Sequence, residues 1–386
     1  MRHQGLLQYI LLLLWLVQPN IALSQTTAST ASTSPASRPD FEVIRQALQQ
    51  ALDLRFDQGI ETATQLEEEQ QPTLASNLTR GMIAYFQSRW QTRQSPTAQK
   101  AGHKALMAVL EEGKRQLEQS PEEPWLKLLL GTAAIFDALL QQSEAPWKSV
   151  ELFGQGRSWL QQALIAHEAT MDAHLGLGLL YFAGSTLPAP LQRLLGGAGK
   201  PPTLESIHHL QRAAAAGQFS PEVARTFLAR LYEQEQRYEE AIALGLKLQQ
   251  AFPDNGYYAL LIGRSQCAHN RYAQCATTLG QLAAQLTASS TVLVQRDDRF
   301  DLYYAWGQAL NELKQYDQAF QAFRRAINQD TRAVKDDTLR AKFHLARLYE
   351  HRGQQKTARQ IYRTLLRGRN VDDLHERAEK RLARLR

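Results

Sequence analysis

The chain has 386 residues, with 44% hydrophobic and 21% charged side chains. That is enough apolar matter to bury an extended core and excludes a wholly disordered polymer. The net charge of +6 is small for this length, and only two cysteines, Cys267 and Cys275, occur, which excludes a disulfide-dense scaffold. Ala, Leu, Gln, Arg and Glu outweigh the β-branched residues, a balance that favours helix over sheet.

Residues 1–24 read as a signal peptide. Arg2 supplies a positive start, Leu6 to Val17 is apolar apart from Gln8, and Pro19 and Asn20 break the run before Ala22-Leu23-Ser24, the expected cleavage site. The run falls short of the roughly 20 residues of a membrane span. Retention as an uncleaved anchor is the alternative. No cysteine follows, so lipid attachment has no acceptor. Residues 25–39, rich in Ser, Thr and Ala with two prolines, read as a linker.

From residue 40 on, helical hairpins recur. Residues 40–221 hold four wide units with Ala47, Phe56 and Ala63 in the first, Gly81 in the second, Leu130-Gly131 with Leu160 in the third, and Leu177-Gly178 with Tyr181 in the fourth. The fourth is interrupted by the insertion 183–202, where Leu187, Leu191, Leu194 and Leu195 form a short amphipathic stretch, a candidate contact for a partner or a membrane. Four tighter units follow at about 222–255, 256–289, 300–333 and 339–370. They carry Leu228-Ala229 and Tyr232 with Ala241; Ile262-Gly263 with Cys275 and Leu279; Trp306-Gly307 with Ala319 and Phe323; and Leu345-Ala346 and Tyr349 with Ala358 and Tyr362. A basic capping helix, 371–386, closes the array.

Large-small-aromatic in a first helix and Ala early in a second resembles the tetratricopeptide repeat. The resemblance implies an all-α, right-handed solenoid of stacked antiparallel helix pairs, each shielding the apolar flank of its neighbour. The small residues mark close helix crossings, so Gly307→Leu is expected to overpack and cost about 1–3 kcal/mol. The resemblance also implies a concave groove lined by the first helices, which takes a protein or peptide. Side chains expected there are Arg230, Tyr257, Arg264, Tyr304, Gln308, Asn311, Phe343 and Arg347, with the aromatic and Arg residues favoured at binding hot spots. The Lys/Asn/Arg set of the carboxylate-clamping members is not found.

Catalytic and metal motifs dissolve on inspection. Gly196-Gly197-Ala198-Gly199-Lys200 lacks the first glycine and the Ser/Thr of a phosphate loop. His167, Glu168, Asp172 and His174 do not have a zinc-site spacing, and no nucleophile–base–orienter set assembles. The expectation is therefore no enzyme, no metal and no cofactor. Cys275 takes a buried small position and Cys267 should face the groove, which favours two thiols over a bridge, the bridge remaining the alternative.

From residue 339 onward there are 14 Lys or Arg against 5 Asp or Glu, leaving the rest of the chain slightly acidic. An anionic membrane surface or an acidic protein is a candidate partner for that end; nucleic acid is not expected for an exported chain. The sequence thus points to an exported, periplasmic scaffold or adaptor of the cell envelope. A periplasmic solute-handling accessory of a transport system is the rival, and an apolar internal channel would favour it.

Overall fold

The computed structural model describes residues 40–68, 73–90, 95–166, 170–186, 203–288, 296–329 and 336–385. The signal peptide, the linker and the four insertion leucines Leu187, Leu191, Leu194 and Leu195 lie outside them. The described residues hold seventeen helices and no strand. The first eight are α1 (Phe41–Leu52), α2 (Phe56–Glu68), α3 (Thr73–Trp90), α4 (Ser95–Gln119), α5 (Pro124–Gln141), α6 (Pro146–Ala166), α7 (Ala173–Thr186) and α8 (Thr203–Ala216). Then come α9 (Pro221–Gln234), α10 (Tyr238–Ala251), α11 (Gly256–Ala268), α12 (Tyr272–Ala288), α13 (Arg296–Glu312), α14 (Tyr316–Gln329), α15 (Asp336–His351), α16 (Gln355–Leu366) and α17 (Leu374–Arg384).

They form eight antiparallel pairs and a closing helix, each second helix packing on its own partner and on the first helix of the next pair. From α1 through α13, the first helices of successive pairs also touch one another, which places them on the inner circumference of the curve.

In five of the pairs the crossing sets a glycine against a large side chain. A Cβ on Gly263 would fall 2.2 Å from Leu279, and one on Gly307 would fall 2.9 Å from Phe323. The wide pairs repeat the device: a Cβ on Gly81 would fall 2.4 Å from Leu106, one on Gly131 2.5 Å from Leu160 and one on Gly178 2.7 Å from Leu210. Only a missing side chain lets these helices approach so closely.

The turns share a second device. In the four C-terminal pairs and in the first, the second residue beyond the first helix enters the left-handed region: Leu54, Gln236, Asn270, Lys314 and Gly353, at φ between 59° and 75°. The next amide then reaches back to a carbonyl of the last helical turn, as Arg271 N–H does to Gln266 O at 2.8 Å. This is a Schellman-type stop, and four of its five left-handed residues are not glycine.

The array also closes on itself. Helix α1 packs against α9, four pairs on. The Phe41 and Phe219 rings lie 5.5 Å apart, Arg45 donates to Glu222 at 2.9 Å, and Asn255 Nδ2 donates to the Leu52 carbonyl at 2.8 Å. Phe219 is held for this contact by Asp172, whose buried carboxylate accepts from the amides of Gln218, Phe219 and Ser220 and from the Ser220 hydroxyl. Burial still keeps that carboxyl above its ordinary pKa, the four hydrogen bonds pulling the other way.

Two expectations need correction. Cys267 and Cys275 form a disulfide, with Cα atoms 5.3 Å apart, and no free thiol exists. The Asn270 turn folds α12 back on α11, so Cys267 faces the second helix and not the groove. Phe343 is buried, 3% exposed, because α17 folds back on α15 and lays the Arg377 guanidinium 4.5 Å over its ring.

Candidate functional site: the inner face of the superhelix

Along the first helices of three wide pairs, and on α9 of the first regular pair, the inward positions are aromatic. Tyr85 on α3 meets Phe136 on α5 at 5.5 Å and Phe227 on α9 at 6.0 Å; Phe182 on α7 meets Phe227 at 6.0 Å. These rings come from pairs far apart in sequence and fill the interior of the closed turn. Where they end, a recess opens between α3, α9 and α11, lined by Tyr85, Phe86, Arg89, Trp90, Phe227, Arg230 and Tyr257, with Thr226 at its side.

Two of the residues expected on the groove, Arg230 and Tyr257, line this recess, and Arg264 lies close to both. Arg230 is exposed, its guanidinium 5.5 Å above the Phe182 ring. Tyr257 is half-buried, 5.9 Å from Trp90, and burial pushes its phenol up to about 12, so it stays neutral. Arg264 is taken up internally: Nε and Nη2 donate to Glu233 at 2.8 and 2.5 Å, and Nη1 donates to Asp301 at 3.2 Å, tying α9, α11 and α13 together. Burial works against its charge, but Glu233 raises its pKa overall.

The remaining expected residues lie further along. Tyr304 stacks on Phe300 at 5.8 Å and accepts from Gln308 at 3.1 Å, and burial lifts its phenol to about 12. His344 stacks on Phe323 at 5.1 Å and is pushed down to about 4, first by burial and then by Arg347 and Arg377. Arg347 is exposed, and Asn311 is half-buried beside the Glu312 carboxylate at 3.5 Å. The structure therefore does not bring the eight expected residues to one place.

Sequence reasoning missed the α3 wall of the recess. Its signal was present: Tyr85, Phe86 and Trp90 fall within six residues of one helix, beside Arg89. It also missed a histidine pair. His174 on α7 and His209 on α8 face each other with Nδ1 atoms 2.6 Å apart, and burial pushes both down to about 4. No described group of three or more His, Cys, Asp or Glu is placed to hold a metal, and no described helix is long and apolar enough to cross a membrane.

At the basic end several cations are paired: Arg340 with Asp337 and Asp372, Arg352 with Asp317, Arg369 with Asp336, Lys380 with Glu376 and Arg381 with Glu350. Helix α16 differs. It has no acidic residue, and Lys356, Arg359 and Arg363, with Arg367 just beyond its end, recur at helical spacing with no ion pair among the described residues.

Family models of the tetratricopeptide repeat match residues 203–256 and 298–370. The chain carries tetratricopeptide repeats. The first match spans α8 to α10, and the second takes in the last two regular pairs. Solved structures of similar outline include yeast Tom70, at 11% identity and a TM-score of 0.40, covering 89% of this chain and 79% of that one. Human IFIT1, in a dimer with PPP-AAAA, has 12% identity and a TM-score of 0.38, covering 86% and 95%. NprR in complex with its cognate peptide NprX has 12% identity and a TM-score of 0.34, covering 89% and 82%. No curated protein matches the chain in sequence. Tetratricopeptide repeats support a protein-interaction scaffold and are generally not enzymes.

Proposed function

We propose that this tetratricopeptide-repeat protein is an exported scaffold, working in the cell envelope, that holds a protein or peptide partner on the inner face of its superhelix. The observation that carries the reading is the recess between α3, α9 and α11, where an aromatic floor and exposed arginines, the side chains of binding hot spots, meet on first helices. Export is supported by the leader-like residues 1–24 and by the Cys267–Cys275 bridge, which persists in an oxidising compartment. The solute-handling alternative called for an apolar internal channel; the inward rings instead close on one another. A photo-crosslinking residue at Tyr257 should trap a partner in cells that the same residue at the outward-facing, exposed Leu246 does not. Equal trapping at both positions would remove the inner face from consideration. N-terminal sequencing of the mature chain should begin after Ser24; an intact Met1 would sink the cleaved-leader part of the reading.

The unpaired cations of α16 favour a second contact, with an anionic membrane surface. Each exposed Lys or Arg near such a surface contributes about 1 kcal/mol. Co-sedimentation with phosphatidylserine vesicles should fall for Arg359→Glu with Arg363→Glu; unchanged co-sedimentation would exclude that contact.

A further inference from the structure

The arginines of this protein divide into two kinds. Arg45, Arg264, Arg340, Arg352, Arg369 and Arg381 each hold a carboxylate. Arg89 and Arg230 hold none among the described residues, although both are exposed and stand on the rim of the same recess, one on α3 and one on α9. Each lays its guanidinium over a ring of the interior, Arg89 over Tyr85 and Arg230 over Phe182, both at 5.5 Å. A guanidinium resting on a ring keeps its plane fixed and turns its N–H edge outward, the arrangement suited to a carboxylate. Glu233, the carboxylate that acts on Arg230, is itself engaged by Arg264. Between the two cations lies the aromatic floor, and Tyr257 stands half-exposed at its edge.

We propose that this recess takes a partner segment that presents an acidic side chain beside an aromatic ring, the carboxylate going to Arg89 and Arg230 and the ring to Trp90 and Tyr257. The inference rests on the reading that the inner face holds a protein partner, and it adds the chemistry of what is held. The two cations stand on helices from different pairs, α3 and α9. That fits a segment passing across it better than a chain end entering it, so the carboxylate is assigned to a Glu or Asp side chain.

Three short peptides test this by fluorescence anisotropy at low and high salt: one blocked at both ends with Glu flanking Phe, its Gln counterpart, and the Gln peptide with a free C-terminal carboxylate. The Glu peptide should bind about tenfold more tightly than the Gln peptide, as expected for charge-assisted hydrogen bonds. That preference should shrink with salt and vanish in Arg89→Gln with Arg230→Gln. Circular dichroism melting shows whether that variant is folded. Should it melt early, Arg89→Lys with Arg230→Lys keeps the charge, and the preference should then persist in weakened form. Equal binding of Glu and Gln peptides, with loss on Tyr257→Ala, overturns the acidic-segment assignment while leaving the recess a peptide site. Preference for the free C-terminus overturns it in favour of end recognition. Binding of none of the three overturns the assignment and the inner-face reading together.

Discussion

In α3, α5, α7 and α9 the inward positions carry Tyr85, Phe136, Phe182 and Phe227, and these rings meet one another across the curve. In α11, α13 and α15 the groove-side positions carry Arg264, Gln308 and Arg347, which meet carboxylates, a phenol and solvent. Both regions use the same small-on-large crossing within a pair. The difference lies in what closes the inner face. Aromatic rings can replace a ligand as filling, so the wide pairs wind into a closed turn that α1 seals. Polar side chains cannot be buried without partners, so the regular pairs keep their inner face open and stitch it with ion pairs. The recess sits where the first regime gives way to the second.

Replacing a ring at the centre of the closed turn is the hardest test of this contrast. Phe227→Ala leaves a void shared with Tyr85, Phe86 and Phe182 and should cost about 3–5 kcal/mol in urea unfolding. Arg347→Ala on the open face should stay within about 0.5 kcal/mol. Similar losses for both would erase the distinction. A finer cut separates closure from stacking. Asn255→Ser keeps a side-chain oxygen to cap α11 at the Tyr257 amide but is too short to reach the Leu52 carbonyl. It should cost about 1–2 kcal/mol. Hydrogen exchange in α1 should quicken while α13 to α16 are unchanged; uniform quickening would mean that the seal is not local.

The smallest effect concerns pH. His344 stays neutral down to about 4, whereas in the unfolded chain it protonates near 6.5. Its contribution to stability is therefore fully present above pH 6.5 and is lost as pH falls towards 4. His344→Phe should flatten the stability–pH slope in that window by up to about one proton. His174 and His209 act in the same direction, and the raised carboxyls of Asp137 and Asp172 act in the opposite one, so the variant must be compared with the unaltered protein. An unchanged slope would contradict a neutral, buried imidazole at this position.

The regular pairs were legible because their large partner follows the small residue at a fixed sixteen positions, as in Gly263 to Leu279 and Gly307 to Phe323. In the wide pairs the same contact joins Gly81 to Leu106 and Gly178 to Leu210, and the drift in spacing hid the pairing while leaving the glycines visible. The site was only half legible. Arg230, Tyr257 and Arg264 follow from groove positions along consecutive repeats. Arg89 and Trp90 do not: their aromatic cluster is visible on α3, but only closure of the turn brings it against α9 and α11. The disulfide was misread because a helix-end cysteine was given the direction of the helix interior. Phe343 was misread because it was placed on the open groove, while the capping helix covers the last first helix.

The seal between α1 and α9 joins Arg45 to Glu222, with Leu52 and Asn255 further apart still along the chain. The chain yields α1 together with its neighbours α2 and α3, so only the far edge of the first helix, where Phe41 meets Phe219 and the Leu52 carbonyl meets Asn255, depends on residues made much later. The late arrival of residues 219 to 255 is the event that locks the first pair in place.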